Sequence, residues 1–411
     1  MYDTESFGKA TAFALLSLPQ NLEMIENDFQ THYLKLNDGG DFQLSNGESL
    51  RDLGVAYQTY GELNAAKDNA ILVFHALSGT QHLTGINPEG PGDCPWWSEE
   101  CHLGWWDAFV GPGKAIDTNK HFVICANYLG GCYGSSGPAS ISPDTGKPYG
   151  STFPSVGAAD IVRSQAQILD ALGIDKLKAV IGSSIGGLLS LSFATLFPDR
   201  VGIVVSLASA LEISLLQKIV IFEQVLAIEN DQNFNGGDYY DGEPPNRGLA
   251  LARMISHKTF VSLKTMERRA RRDVAKFDDA LAWYKVESPL ESYLLHHGLK
   301  FVNRFDANTY LRVLEVWQKF DPFHDTQTTT AKDLFAKSKE QQWLVFSIDS
   351  DVCFYPDQQL HLARALKKAD VPSMHITVHS EKGHDSFLLE PGLYSPHLQF
   401  ALSGGIRDHH A

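Results

Sequence analysis

The sequence predicts an α/β fold, a mostly parallel sheet flanked by helices, and three observations carry the prediction. Short apolar, β-rich runs recur along the chain and are ended by Gly, Ser, Asn or Asp; helical periodicities lie between them; and one long helical stretch interrupts the alternation before it resumes. The runs are residues 71–74, 122–125, 178–181, 203–206, 343–346 and 375–378, all apolar enough to be strands buried on both faces. Residues 159–172 have helical spacing closed by Gly173, and 185–197 form a second helix stopped by Pro198. From Leu211 to Lys337 no convincing strand interrupts patterns rich in Arg, Glu and Leu, apart from loop-like stretches at 233–246 and 321–330. The expected organisation is an N-terminal extension over 1–30 without a readable pattern, a first core part over 31–210, a helical lid insertion over 211–337 and a second core part over 338–411.

Composition narrows the class of function. With 43% hydrophobic and 20% charged residues in 411, the bulk of the chain is no disordered segment. The formal net charge of −15 argues against nucleic acid or an anionic membrane surface as the main partner. No run approaches the roughly 20 apolar residues that span a bilayer, and the start Met1-Tyr2-Asp3-Thr4-Glu5 lacks the basic region of a signal peptide, so a cytoplasmic location is expected. Five cysteines without a CxxC pair fit reduced thiols better than a disulfide framework, and no metal site is expected.

Gly182-Ser183-Ser184-Ile185-Gly186 matches G-x-S-x-G. The pattern alone is weak, but here it follows a strand and opens a helix, the strand-turn-helix context of a nucleophile elbow. The Ser184 hydroxyl would stand above the sheet, and the Ile185 N–H at the helix start would face a developing oxyanion. Gly130-Gly131-Cys132-Tyr133-Gly134 is a decoy: Ser135-Ser136-Gly137-Pro138 breaks any helix that could activate the thiol. In an α/β hydrolase the acid and the histidine follow later strands, in the order Ser, acid, His. After residues 343–346 come Asp349 and Asp351, both candidate acids, and after 375–378 comes His384, the candidate base. His361, His375 and His379 lie on a helix or a strand and suit surface or core roles. A second oxyanion amide is expected in the loop His75-Ala76-Leu77-Ser78-Gly79, at Leu77.

Several of these segments resemble the homoserine O-acyltransferases, α/β hydrolases that acylate homoserine for methionine synthesis. The similarity runs in family order through Val55-Ala56-Tyr57-Gln58-Thr59-Tyr60-Gly61, residues 75–82, 111–115, 127–138 and 145–154, the elbow, and residues 247–253, 301–310 and 383–388, covering about 35–390. The resemblance implies Ser184 as nucleophile, Asp351 rather than Asp349 as acid, His384 as base, and the Leu77 and Ile185 amides as oxyanion donors. It also implies Arg253 and Asp385 as the groups that hold an amino acid's carboxylate and ammonium. A guanidinium fork and a carboxylate are the chemistry a zwitterion requires.

The chain departs from the family pattern at the elbow, at Ser78-Gly79-Thr80, at Phe260, where a tyrosine is expected, and at Val225-Leu226, where Arg-Gln is expected. The last two bear on the acceptor side. Arg268, Arg269, Arg271 and Arg272 read as a solvated helix face, with a contact to a coenzyme A phosphate as the alternative.

The function expected is a ping-pong O-acyltransferase with no bound cofactor, acting on small molecules. Acyl-CoA is the co-substrate, acetyl-CoA first and succinyl-CoA as the alternative. Homoserine is the expected acceptor, with serine or another hydroxy compound second. A homodimer would form through the helical lid. The rival readings are a serine esterase of the same fold and a non-catalytic binding protein.

Overall fold

The computed structural model describes residues 29–270 and 284–408. Almost all of the 1–30 extension, and Arg271 and Arg272 of the arginine group, lie outside the described residues.

Eight strands form the main sheet: β1 (His32–Lys35), β2 (Gly54–Tyr60), β3 (Ala70–Phe74), β4 (Phe122–Ala126), β5 (Leu177–Ser183), β6 (Val201–Leu207), β7 (Gln342–Ile348) and β8 (Ser373–Val378). Their spatial order is β1-β2-β4-β3-β5-β6-β7-β8. Strand β2 is antiparallel to both its neighbours, with Tyr57 opposite His32 and Ala126, and every other pairing is parallel. All six expected strands are present, but β8, at the far edge of the sheet, is only partly buried rather than covered on both faces. The two that the apolar runs did not reveal are β1 and β2, which lie toward one edge and are only partly buried along their length. By contrast β3, β4 and β7 are buried at every residue.

Period-two alternation divides the strand side chains between two cores. Leu72, Phe74, Ile124, Val180, Val204 and Val345 face one side of the sheet, and Ile71, Val73, Val123, Ile181, Val205 and Leu344 the other. Against the first side pack α1 (Ala158–Leu172) and α2 (Ile185–Leu196), whose Ile161, Leu188 and Phe193 complete that core. Helix α1 ends as expected: Gly173 takes a left-handed conformation and donates its N–H to the Leu169 and Asp170 carbonyls.

Between β6 and β7 lie α3 (Leu215–Glu229), α4 (Asn246–Phe260), α5 (Leu263–Ala270), α6 (Pro289–Phe301) and α7 (Ala307–Gln318), and among the described residues of that segment there is no strand. The ends of these helices are written locally. Ser214 and Gln217 form a reciprocal capping box on α3, Ser288 followed by Pro289 opens α6, and the Asp306 carboxylate caps α7 while accepting the Tyr239 and Tyr240 hydroxyls. Helices α8 (Pro356–Lys368) and α9 (Pro391–Leu402) follow β7 and β8. No helix among the described residues is long and apolar enough to cross a membrane.

Strands β3, β5, β7 and β8 run in one direction, so the loops that follow them meet at one end of the sheet. Those loops carry Leu77, Ser184, Asp351 and His384.

Candidate active site

Ser184 occupies the turn between β5 and α2 with φ 58° and ψ −124°, a conformation that costs a non-glycine residue about 1–3 kcal/mol. Its N–H donates to the Leu207 carbonyl at 2.9 Å, which ties the turn to the neighbouring strand. Two glycines make the turn feasible by close approach. A Cβ on Gly182 would lie 1.9 Å from the Gly186 oxygen, and one on Gly186 would lie 2.3 Å from the Phe74 oxygen.

The Ser184 hydroxyl is 2.8 Å from His384 Nε2, and His384 Nδ1 is 2.7 Å from Asp351 Oδ2. Asp351 is held from the other side: Oδ1 accepts the Cys353 and Phe354 amides, and Oδ2 also accepts the Gln359 side chain. All three residues are buried. The His384 ring is framed by Phe354, stacked at 5.6 Å, Phe387, edge-on at 5.2 Å, and Phe260 at 6.0 Å. A proton can therefore pass from the hydroxyl to an imidazole whose other nitrogen is fixed on a carboxylate, in buried and largely aromatic surroundings. Asp349, the other candidate acid, points away and pairs with the exposed His379 at 2.8 Å.

Ser184 and His384 open into a cavity lined also by Leu77, Ser78, Cys101, Trp105, Arg253, Phe260, Arg304 and Asp385. Ile185 contributes no lining side chain, but its amide is the first of α2 and has no partner within the helix. Leu77 is the second residue of a tight turn closed by Gly79 N–H donating to the Ala76 carbonyl at 3.0 Å. Below that turn the His75 ring stacks on Tyr128 at 3.7 Å, and burial lowers its pKa to about 4, so the imidazole is neutral there.

Arg253 projects from α4 with its guanidinium 4.5 Å from the Phe301 ring centre and 5.2 Å from that of Phe260. Among the described residues no carboxylate forms an ion pair with it. Burial lowers its pKa, an effect that nearby Tyr310 and Asp385 oppose. Burial raises the pKa of Asp385, against the pull of His384 and Arg253. A cation and an anion, both desolvated, thus border the cavity beside His384, an arrangement matched to a ligand that carries both charges.

Val225 and Leu226 do not line the cavity, and Leu226 lies on an exposed face of α3. Cys132 is buried in the glycine-rich turn, where burial pushes its thiol well above the ordinary range. Arg304, Cys101 and Trp105 line the cavity although no sequence pattern had singled them out. Arg304 lies in the family-like stretch 301–310, but an arginine between two helices carries no signal of its own.

A sequence model described as the alpha/beta hydrolase fold matches residues 69–391. Among curated proteins, a homoserine O-succinyltransferase of Alkalilimnicola ehrlichii is 41% identical over 370 residues, covering 88% of this chain and 92% of its own. A homoserine O-acetyltransferase of Caulobacter vibrioides is 40% identical over 370 residues, covering 89% and 93%. The chain belongs to the homoserine O-acyltransferase family of α/β hydrolases. Among solved structures, esterase E22 superposes with a TM-score of 0.80 at 25% identity, covering 91% of this chain and 100% of that one. A homoserine O-acetyltransferase from Bacillus anthracis does so with a TM-score of 0.80 at 24% identity, covering 91% and 97%, a likeness of fold. Within the homoserine O-acyltransferase family the similarity to succinyl- and acetyl-transferring relatives is equal to within one per cent, so identity does not separate the two donors.

Proposed function

We propose that this protein transfers an acyl group from acyl-CoA to the hydroxyl of L-homoserine, by a ping-pong route through an acyl-Ser184. The observation that carries the reading is the buried Ser184–His384–Asp351 chain opening into a cavity that also holds Arg253 and Asp385. Ser184 attacks the thioester carbonyl as His384 takes its proton, and the Leu77 and Ile185 amides stabilise the oxyanion. Coenzyme A leaves as the thiol with the proton from His384. The homoserine hydroxyl then gives its proton to His384 and attacks the acyl-serine, releasing O-acylhomoserine and restoring Ser184. Arg253 binds the acceptor's carboxylate and Asp385 its ammonium, with the Phe260 and Phe301 rings keeping the guanidinium in place.

Water is the competing acceptor. Helices α3–α7 act as the lid: α4 contributes Arg253 and Phe260 to the cavity wall, and three phenyl rings make the surroundings of His384 apolar. The same segment forms the homodimer contact, through the apolar face of α3. The setting is the cytoplasm, in methionine biosynthesis.

Thiol release from acetyl-CoA and succinyl-CoA, measured with homoserine, serine or water as acceptor, tests the reading. Homoserine-dependent release with O-acylhomoserine as product is expected. Release at the same rate without any amino acid would instead establish an esterase, the reading that the likeness to esterase E22 favours.

A further inference from the structure

The cavity holds a second guanidinium, Arg304, and its hydrogen bonding differs from that of Arg253. Both stack on Phe301, with Arg304 Cζ 5.5 Å from the ring centre. Whereas Arg253 has no carboxylate partner among the described residues, Arg304 is tied to the turn at Ser78. Its Nη2 donates to the Ser78 carbonyl and to Ser78 Oγ, each at 3.1 Å; Nε lies 3.7 Å from Glu100 Oε2, and Nη1 lies 3.9 Å from Cys101 Sγ. The Arg304 backbone is anchored in turn, because its carbonyl accepts the Tyr133 hydroxyl. These contacts hold the guanidinium against the turn that carries Leu77.

Ser78 is the third residue of the turn whose second residue is Leu77. At the other end of that turn the His75 carbonyl accepts the Tyr128 hydroxyl. A Cβ on Gly79 would lie 2.7 Å from that of His75, so the turn sits directly on the imidazole. One side of the turn is therefore fixed by the sheet core, and the other by a residue of the helical segment. The direction of the Leu77 N–H follows from both.

We propose that Arg304 is a positioning residue for acyl transfer: by holding both oxygens of Ser78 from the helical segment, it aims the Leu77 amide at the oxyanion. Oxyanion stabilisation then depends on the docked lid, and a site with the lid displaced loses acylation power as well as shelter from water. The inference rests on the roles given above to Ser184 and Leu77.

The test uses the full-length protein with Arg304→Met, Arg304→Lys and, as control, Ser184→Ala. Three quantities are read: the pre-steady-state burst of thiol from acyl-CoA, KM for homoserine, and affinity for a boronic acid that forms a tetrahedral adduct on a serine hydroxyl. Loss of an oxyanion donor costs about 10²–10³ in rate. Arg304→Met is expected to slow the burst by about 10²-fold and to weaken the boronate by a similar factor while homoserine KM holds, with Arg304→Lys intermediate. A role in folding alone would not lower the burst and the boronate affinity in step while sparing KM. An unchanged burst with a raised KM would overturn the inference and make Arg304 a substrate ligand. If Arg304→Met does not fold, Arg304→Lys decides alone, since a wild-type burst in that variant overturns the proposal. A burst that survives Ser184→Ala sinks the proposed function itself, a result distinct from a Ser184-dependent burst indifferent to Arg304.

Discussion

Asp349 and Asp351 stand two residues apart after the same strand, and only Asp351 reaches His384. No spacing rule separates them, because both lie in a loop whose path is set by tertiary contacts. Two backbone amides and the Gln359 side chain turn Asp351 inward, whereas Asp349 accepts the Ser380 amide and faces His379 at the surface. Asp351→Asn is therefore expected to lower kcat by about 10⁴-fold through the wrong imidazole tautomer. Asp349→Asn should leave it near wild type, and steady-state kinetics of the pair checks this; equal losses would mean that the acid is shared. The two arginines teach a similar lesson. Arg253 came from resemblance and Arg304 from the structure alone, because only hydrogen-bond partners distinguish a guanidinium without a protein partner from one tied to a backbone turn.

Among the elements, β3 to β7 were legible because a strand buried on both faces is apolar at nearly every position, and the partly buried edge strand β8 through its β-branched residues Ile376, Thr377 and Val378. Strands β1 and β2 were not, since Tyr57-Gln58-Thr59-Tyr60 is neither continuously apolar nor cleanly alternating. Helix α3 shows the reverse case, a pattern whose meaning the fold of one chain does not exhaust. Its Leu215, Ile219, Phe222 and Leu226 are spaced by four, three and four residues and are all exposed, Leu215 at 81%. On the opposite face Gln217, Ile221, Gln224 and Ile228 are buried. A stripe of that kind suits the dimer contact proposed above. The double variant Ile219→Glu, Phe222→Glu should halve the mass seen by light scattering while keeping the helical circular dichroism of the wild type. A monomeric wild type, or a variant that still dimerises, would remove α3 from the interface.

Across the whole molecule, burial of neutral histidines couples stability to pH. Burial lowers the pKa of His75 from 6.5 to about 4 and, with help from nearby Arg253, that of His257 to about 2. Both are neutral in the folded protein, while the unfolded chain takes up their protons as pH falls below 6.5. Their contribution is thus complete above pH 6.5 and declines at about 1.4 kcal/mol per pH unit for each group, until pH passes through the folded value. Urea midpoints should fall between pH 6.5 and 4, and His75→Gln should flatten part of that slope; parallel curves for variant and wild type would contradict the assignment. The sequence by itself determined the parallel sheet, the elbow at Ser184 and the order of nucleophile, acid and base, because strand burial and the strand-turn-helix step are local patterns. The choice of Asp351 came from resemblance and not from spacing, and only the tertiary structure decided that the turn after α6 walls the cavity and that Arg304 grips the turn carrying Leu77. Those depend on contacts between residues far apart in the chain, which the packing of one layer on another creates and no local pattern encodes.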